Sequence, residues 1–561
     1  MEKAPSEKPR ASGAFAGETR SGQKDARSRV KPMLIKTNAD EIQSFLSDAS
    51  HMRDGHAERV VLPENTEEVA DVLRVATHDK TPVTVSGAGT GTVGGRIPFA
   101  GIVLATDKLN QIKSIVHEES AGSAVAGAGV RLSDFQRFVE SENLFYPPDP
   151  TERSCFLGGT VATNASGART FKYGPTREYV QRLKIVLATG EVIDLRRGQL
   201  HANVGGRIKI PLPSGHLLEA QLPTYQMPQT RKHASGYYVA PEMDVLDLFI
   251  GSEGTLGVIT EVEVGLLPKR KGLLSGIVFF TVNENVLSFV NEARALSLAN
   301  RQPRDGRASR FGPFIEKALQ VGDRQTSQPA GGNEPTRRAI DARALEYFDI
   351  ESLKFLRQKY ETIPADAVGA IFFEQETTPA TEDSLMTDWL SLLERHHALV
   401  DNSWFATNEQ DQAKLREFRH ALPVLMNEWF ARHNQRKVST DMSVPDEAFP
   451  GMLGFYQDTL RASDLRYTVF GHIGDNHVHV NILPRNDEEA AKAREIYLRF
   501  VKRAVEVGGT ISAEHGIGKL KRDYLRLLYN EDHLREMAAL KRAFDPAGIL
   551  GRGNIFSEDY L

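Results

Sequence analysis

Residues 59–91, RVVLPENTEEVADVLRVATHDKTPVTVSGAGTG, set two short apolar runs on either side of a periodic stretch. In the middle, Val69, Val72 and Leu73 follow the i, i+3, i+4 spacing of one helix face. Asn65 stands just before them, where an N-cap accepts the first unpaired N–H groups. RVVL and PVTV read as strands, and the second runs into a glycine turn. Further on, AVGAIFFEQE (367–376) predicts a strand and EDSLMTDWLSLLERHHALV (382–400) a helix. RYTVFGHI (466–473) and HVHVNIL (477–483) alternate on either side of GDN, a turn sequence, and so predict a hairpin. No segment repeats at a solenoid period.

The chain has 561 residues, too many for one core, so two or three domains are expected. Composition shifts at LLPKRKG (266–272), which sets a boundary near residue 269. NRQPRDGRASRFGPF and GDRQTSQPAGGNEPTRRA lack apolar periodicity and read as surface loop or insertion. Residues 1–37 read as a disordered tail. Hydrophobic residues make up 40%, charged residues 25%, and the net charge is −5. That is a globular composition, and it argues against nucleic-acid binding, which wants a basic face. The one cysteine, Cys155, excludes an intramolecular disulfide and any cysteine-rich metal site. No run of 18 apolar residues appears, so no transmembrane segment is expected. The N-terminus has no apolar core for a secretory signal. A cytoplasmic protein is expected, with peripheral membrane association left open.

Three segments are rich in glycine and small residues. VSGAGTGTVGG (85–95) follows a strand and can cradle a pyrophosphate with successive N–H groups. It is neither a P-loop nor the usual dinucleotide fingerprint, since no Lys-Ser/Thr pair and no helix follow it. PPDPTERSCFLGGTVATNASGARTFKYGPTREYV starts at Pro147 and LFIGSEGTLGVITEVEVGLLP at Leu248; each is read as small residues beside a strand. Small side chains on several loops suit a long, flat cofactor lying against backbone. In this order the segments resemble the FAD-binding domain of the vanillyl-alcohol oxidase (PCMH-type) superfamily. With the C-terminal motifs, the chain resembles its FAD-linked D-lactate dehydrogenase, glycolate oxidase subunit and D-2-hydroxyglutarate dehydrogenase group, over residues 55–558.

The resemblance implies an α+β fold: a two-part PCMH-type FAD-binding domain (38–268), an α+β cap domain with an antiparallel sheet (269–515), and a C-terminal segment returning to the FAD domain (516–561). It implies FAD contacts at Gly87, Ala88, Gly89, Thr90, Gly91, Asp149, Gly159, Thr160, Asn164, Gly167, Glu253, Gly257 and Ile259. Ser86 stands where relatives often carry a basic residue, and GRGN (551–554) stands where they end in NPGK.

GHIGDNHVHV (471–480) holds three histidines in eight positions. With a four-residue loop from Gly474 to His477, Ile473 faces Val478 and His472 faces His479. Opposed residues have Cβ atoms about 4.5–5.5 Å apart, so both imidazoles can reach one ion. Asn481 points the same way as His479, and His477 is set aside in the turn. In GGTISAEHGIGKLKRDYL (508–525), Glu514 is expected at the end of an apolar strand and offers a third ligand. Two histidines and a carboxylate leave open coordination positions, as a catalytic metal requires. The resemblance carries the same ligands, His472, His479 and Glu514, with zinc or manganese as the ion. The inner sequence here is DNHVH where relatives have DGNLH.

An ion chelated by a 2-hydroxy acid orients the substrate and lowers its hydroxyl pKa. His515 is the candidate base for the O–H proton, as the Cα hydrogen leaves as hydride for the flavin. Arg419 is the candidate fork for the substrate carboxylate, with Arg416 as its competitor, and Asn481 completes the catalytic set. Ser439 and Pro423 stand where the hydroxyglutarate branch usually has lysine and threonine, which weighs against that substrate. The expected acceptor is a quinone, a cytochrome, an electron-transfer flavoprotein or a partner subunit. The competing readings are a phenol oxidase, a non-redox transferase of the alkylglycerone-phosphate synthase type, and a non-catalytic flavin-binding subunit.

Overall fold

The computed structural model describes residues 33–119, 121–301 and 340–561. Most of the tail expected over 1–37, and the loops expected after Arg301 up to residue 339, lie outside the described residues. The tail expectation fails at its end. Leu34–Lys36 is a strand, antiparallel to Arg59–Leu62. It is an edge strand whose Leu34 and Ile35 are 43% and 49% exposed, so pairing, not a buried face, orders it.

The predicted helix spans Thr66–Asp79, and the Asn65 side chain accepts from the Glu68 N–H. Glu68 reaches back to accept from the Glu64 N–H, which closes a reciprocal cap. This helix is the crossover from Arg59–Leu62 to Val83–Ser86. Those strands lie parallel to Ile102–Ala105 in one four-stranded sheet. A second, antiparallel sheet orders Ile112–His117, Gly122–Gly127, Val258–Pro268, Val180–Val186 and Val192–Arg196. Together the two sheets present the glycine segments.

The third sheet is antiparallel and has seven strands. From edge to edge these are Trp404–Ala406, Gly272–Phe280, Gly369–Thr377, Ala344–Asp349, Tyr467–Gly471, His479–Ile482 and Val438–Ser439. Both faces are covered, which is why its inner strands Gly272–Phe280 and Gly369–Thr377 read as near-continuous apolar runs. Leu274, Val278, Phe280, Ile371 and Phe373 pack with Phe289 and Trp389. The intervening Ile277, Phe279, Ala370 and Phe372 pack with Phe418, Met426 and Phe430 of helix Glu409–His433. The predicted helix after residue 381 spans Glu382–Arg395. At the C-terminus, Gly551 N–H donates to the Val83 carbonyl (3.0 Å) and Leu550 bridges Val83, so the last residues rejoin the first sheet.

Candidate active site

The first glycine loop runs from Gly87 to Gly95. Gly89 and Gly94 have φ of +81° and +73°, a region that costs other residues strain. Arg96 braces the loop from behind by donating to the carbonyls of Gly87 (2.7 Å) and Ser44 (2.5 Å). The second segment lies beside strands Gly122–Gly127 and Val258–Pro268 as a short helix, Leu157–Ala162, and Gly158 packs directly on Ala128. The third segment docks on that helix, since the N–H groups of Gly251 and Glu253 donate to Val161 and Ala162.

The expected flavin residues divide by what surrounds them. A first side-chain carbon at Gly87, Gly91 or Gly159 would meet nothing within 4 Å. Such bare backbone faces are what a flat cofactor needs, and the segment fits FAD on that ground. Ala88 and Thr90 sit partly exposed on the same loop. Gly167 and Gly257 instead abut the protein itself, at the Asp149 carbonyl and the Ile185 side chain. Thr160 donates to the Leu157 carbonyl (2.8 Å), and Asn164 accepts from the Arg177 N–H (3.0 Å). Ile259 is 8% exposed in its strand. The Asp149 carboxylate turns away to Arg153 (2.7 Å) and Arg169 (3.3 Å), in a cleft shared with Arg416 and Arg419. Lys519 and Asn554 both donate to the Gly95 carbonyl, so the C-terminal GRGN closes on the first loop.

Glu253 ties the third segment to the EHGIG stretch. Its carboxylate accepts from the N–H groups of Ile517 and Gly518, both at 2.7 Å. Burial pushes this carboxyl up to about 7. The folded protein therefore holds a proton there that the unfolded chain releases near 4.5. Stability from this site is full below about 4.5 and falls as pH rises to about 7, by about 3 kcal/mol. Urea unfolding of wild type and Glu253→Gln at pH 5 and pH 8 is expected to show that relative loss in wild type alone. A pH-independent difference between the two would refute it.

The histidine hairpin forms with a different register. His479 pairs with Phe470 and Val480 with Val469, so His472 does not oppose His479 in the ladder. A 3-10 turn, Ile473–Asp475, and Asn476 at φ +54° lengthen the connection. The rings still converge, because Gly471, at φ +125°, redirects the chain just before His472. Ring centroids of His472 and His479 are 5.7 Å apart. Glu514 is also not at a strand end. Its segment is irregular, with one bridge, Thr510 to Ser443. Side chains fix it: Ser235 bonds Thr510, and Asp441 accepts from Ser512 Oγ.

Ligand atoms of His472, His477, His479 and Glu514 all lie within 4.8 Å of one another. His472 Nδ1 donates to Glu346 Oε1 (2.6 Å), and His479 Nδ1 donates to the Thr440 carbonyl (2.9 Å). Each Nε2 is thereby turned to the Glu514 carboxylate, 3.3 and 3.8 Å away. That is the outer-shell pattern of metal-binding histidines. Glu514 Oε1 also accepts from Lys232 Nζ (2.6 Å) and Ser166 Oγ (3.1 Å). Burial alone would raise Glu514, but His472 and Lys232 hold it well below the usual carboxylate range. Burial would likewise lower His472, yet Glu346 and Glu514 raise it to about 9. The carboxylates thus demand positive charge at this point, and a proton or a divalent cation supplies it. This donor set fits a zinc-like ion.

His515 lies beside the cluster, its ring 5.6 Å from that of His479 and nearly parallel to it. Asp441 Oδ2 accepts the His515 N–H (3.1 Å) and stands 3.3 Å from its Nδ1. Arg419 Nε donates to Glu346 Oε2 (3.0 Å), which links it to His472 through one carboxylate. Arg416 lines the same cleft. Asn481 is buried one strand step beyond His479, and its amide donates to the His479 carbonyl. Sequence reasoning missed His477 as a donor and gave Asp441, two residues after Ser439, no role; it missed Glu346 and Lys232 altogether. For His477 the signal was present, a third histidine within the motif. Glu346 and Lys232 come from distant segments with no local signature.

The FAD binding domain model matches residues 57–196, and the model for the C-terminal domain of FAD linked oxidases matches residues 333–555. The D-lactate dehydrogenase of Anaerostipes hadrus is 30% identical over 92% of this chain and 93% of its own length. Glycolate oxidase subunit GlcD of Bacillus subtilis is 29% identical over 94% and 97%, and D-2-hydroxyglutarate dehydrogenase of Stutzerimonas stutzeri 26% over 94% and 97%. A solved alkyldihydroxyacetonephosphate synthase superposes with a TM-score of 0.60 at 15% identity, covering 92% of this chain and 82% of that one. At that identity the likeness speaks for fold alone. Among the described residues, no helix is long and apolar enough to cross a membrane.

Proposed function

This chain belongs to the PCMH-type FAD-linked oxidases, in the group of D-lactate dehydrogenase, glycolate oxidase subunit and D-2-hydroxyglutarate dehydrogenase, and from that premise we propose that it oxidises a D-2-hydroxy acid to the 2-oxo acid. The observation that carries the reading is the Asp441-held His515 beside the imidazole–carboxylate cluster. FAD, when bound, would supply the acceptor for the Cα hydrogen as hydride, and a divalent ion, which His472, His479 and Glu514 would hold, would lower the pKa of the α-hydroxyl. His515 takes the hydroxyl proton. Asp441, an acceptor at its Nδ1, leaves Nε2 as the basic atom. Arg419 receives the substrate carboxylate, with its guanidinium oriented by Glu346. Asn481 supports His479 from the neighbouring strand position.

The substrate is D-lactate-like. Pro423 lies in helix Glu409–His433, one turn past Arg419, and offers no hydroxyl to a second carboxylate. Electrons leave to a quinone, cytochrome or electron-transfer flavoprotein. A panel of D-lactate, L-lactate, glycolate, malate and 2-hydroxyglutarate with an artificial dye acceptor tests the reading, before and after chelator treatment. The expected result is turnover of a D-isomer, lost with chelator and restored by metal. A yellow protein that reduces no dye with any member of the panel would overturn it.

A further inference from the structure

We infer that His477 is a fourth ligand, so that the site is a three-imidazole, one-carboxylate centre to which the substrate hydroxyl would add as a fifth ligand. The inference rests on the metal reading of this cluster proposed above. His477 is fully buried, and neither ring nitrogen makes a hydrogen bond among the described residues. Its surroundings are polar all the same. Nδ1 faces Glu514 Oε1 at 3.8 Å, and Nε2 faces Asp441 Oδ1 at 3.2 Å. Asp441 Oδ1 has no hydrogen-bond partner either.

The three histidines share one arrangement. Each has one nitrogen at an oxygen acceptor and the other towards Glu514. For His472 and His479 the acceptors are Glu346 and the Thr440 carbonyl, and Nε2 is the free atom. For His477 the nearest oxygen is Asp441 Oδ1, at 3.2 Å without a hydrogen bond, and Nδ1 is free. The Nε2 proton belongs towards Asp441, so Nδ1 turns a bare lone pair on a carboxylate. Two acceptors facing each other in a dry site need a cation between them. The distances suit one. Ligand atoms held at about 2.0–2.2 Å by a common ion stand about 3–4 Å apart. The nitrogen–Glu514 separations are 3.3, 3.8 and 3.8 Å.

The turn is built to deliver this ring. Asn476 adopts φ +54°, and the His477 N–H folds back to the His472 carbonyl (3.2 Å). The His477 ring comes within 5.5 Å of His472 and 4.5 Å of His479, centre to centre. A nitrogen-rich set of this kind selects zinc, cobalt, nickel or copper over magnesium and calcium.

The test uses the purified full-length chain, its content of one added ion checked by elemental analysis. Pulsed EPR of the Cu²⁺-loaded protein counts coordinated imidazoles, and competition with a chelator measures Zn²⁺ affinity. The expected count is three in wild type and two in His477→Asn. The variant's Zn²⁺ affinity is expected to fall by more than the roughly 10- to 100-fold cost of losing an outer-shell partner. One ion bound by two imidazoles in wild type would overturn the fourth ligand and leave the metal reading standing. A wild type that holds no ion would overturn both. The wild-type count decides even where His477→Asn fails to fold.

Discussion

His515→Gln is expected to lower flavin reduction by about 10²- to 10⁴-fold, the usual worth of a positioned general base. Flavin and metal content should stay at wild-type levels. The reason is geometric. Of the four histidines gathered here, His515 has the most accessible side chain, at 31%, against 5%, 0% and 13% for His472, His477 and His479. It is the imidazole a substrate can reach. Asp441 holds it twice, at the backbone N–H and at Nδ1, and is itself fixed by Lys521 Nζ (2.6 Å) and Ser512 Oγ (2.7 Å). Burial alone would raise the Asp441 carboxyl, but His515 and Lys521 keep it ionised, well below the usual range. Anaerobic stopped-flow reduction by the best substrate of the panel isolates the step and removes the acceptor from the question. A loss under fivefold would take the base role away from His515.

Glu514→Ala is expected to do more, and in two ways. Metal retention and dye reduction should both be lost, because the carboxylate is the common neighbour of all three imidazoles. The fold should also weaken by about 3–5 kcal/mol, the cost of stripping one partner from a buried ion pair. Lys232 is 1% exposed and, among the described residues, keeps Asp475, at 3.3 Å, as its ion-pair partner once Glu514 is gone. Metal content after dialysis, turnover and urea unfolding check the three parts separately. A variant that keeps its ion and its turnover would remove Glu514 from the site. One that loses both without losing stability would show that Lys232 finds another partner.

Local order was plain in the sequence wherever a short stretch carries its own physics. The helix Thr66–Asp79 announces itself by the Asn65 cap and one apolar face, and it forms there. The strand Gly369–Thr377 and the helix Glu382–Arg395 follow the same logic. The hairpin was visible as a hairpin but not in its register. Turn residues say that a chain reverses, whereas the extra 3-10 turn depends on Ile473 and Gly474 packing into the core, where Gly474 meets Phe171 and Leu345. The strand expected before Glu514 failed for a related reason. GGTIS has strand composition, but its polar groups are taken by Ser235, Ser443 and Asp441, so no ladder forms.

By itself the sequence determined the glycine segments, their order along the chain, and a histidine-rich turn followed by Glu-His. Those are composition and spacing within a few residues, and both survive without coordinates. Only the tertiary structure decided which groups complete the site. Glu346 reaches His472 across 126 residues, Lys232 reaches Glu514 across 282, and Ser166 reaches the same carboxylate across 348. No periodicity links such positions. They meet because the third sheet sets Ala344–Asp349 beside Tyr467–Gly471, and because the segment after Gly508 crosses from that sheet to the flavin-binding part of the chain, where Glu253 and Ser235 hold it.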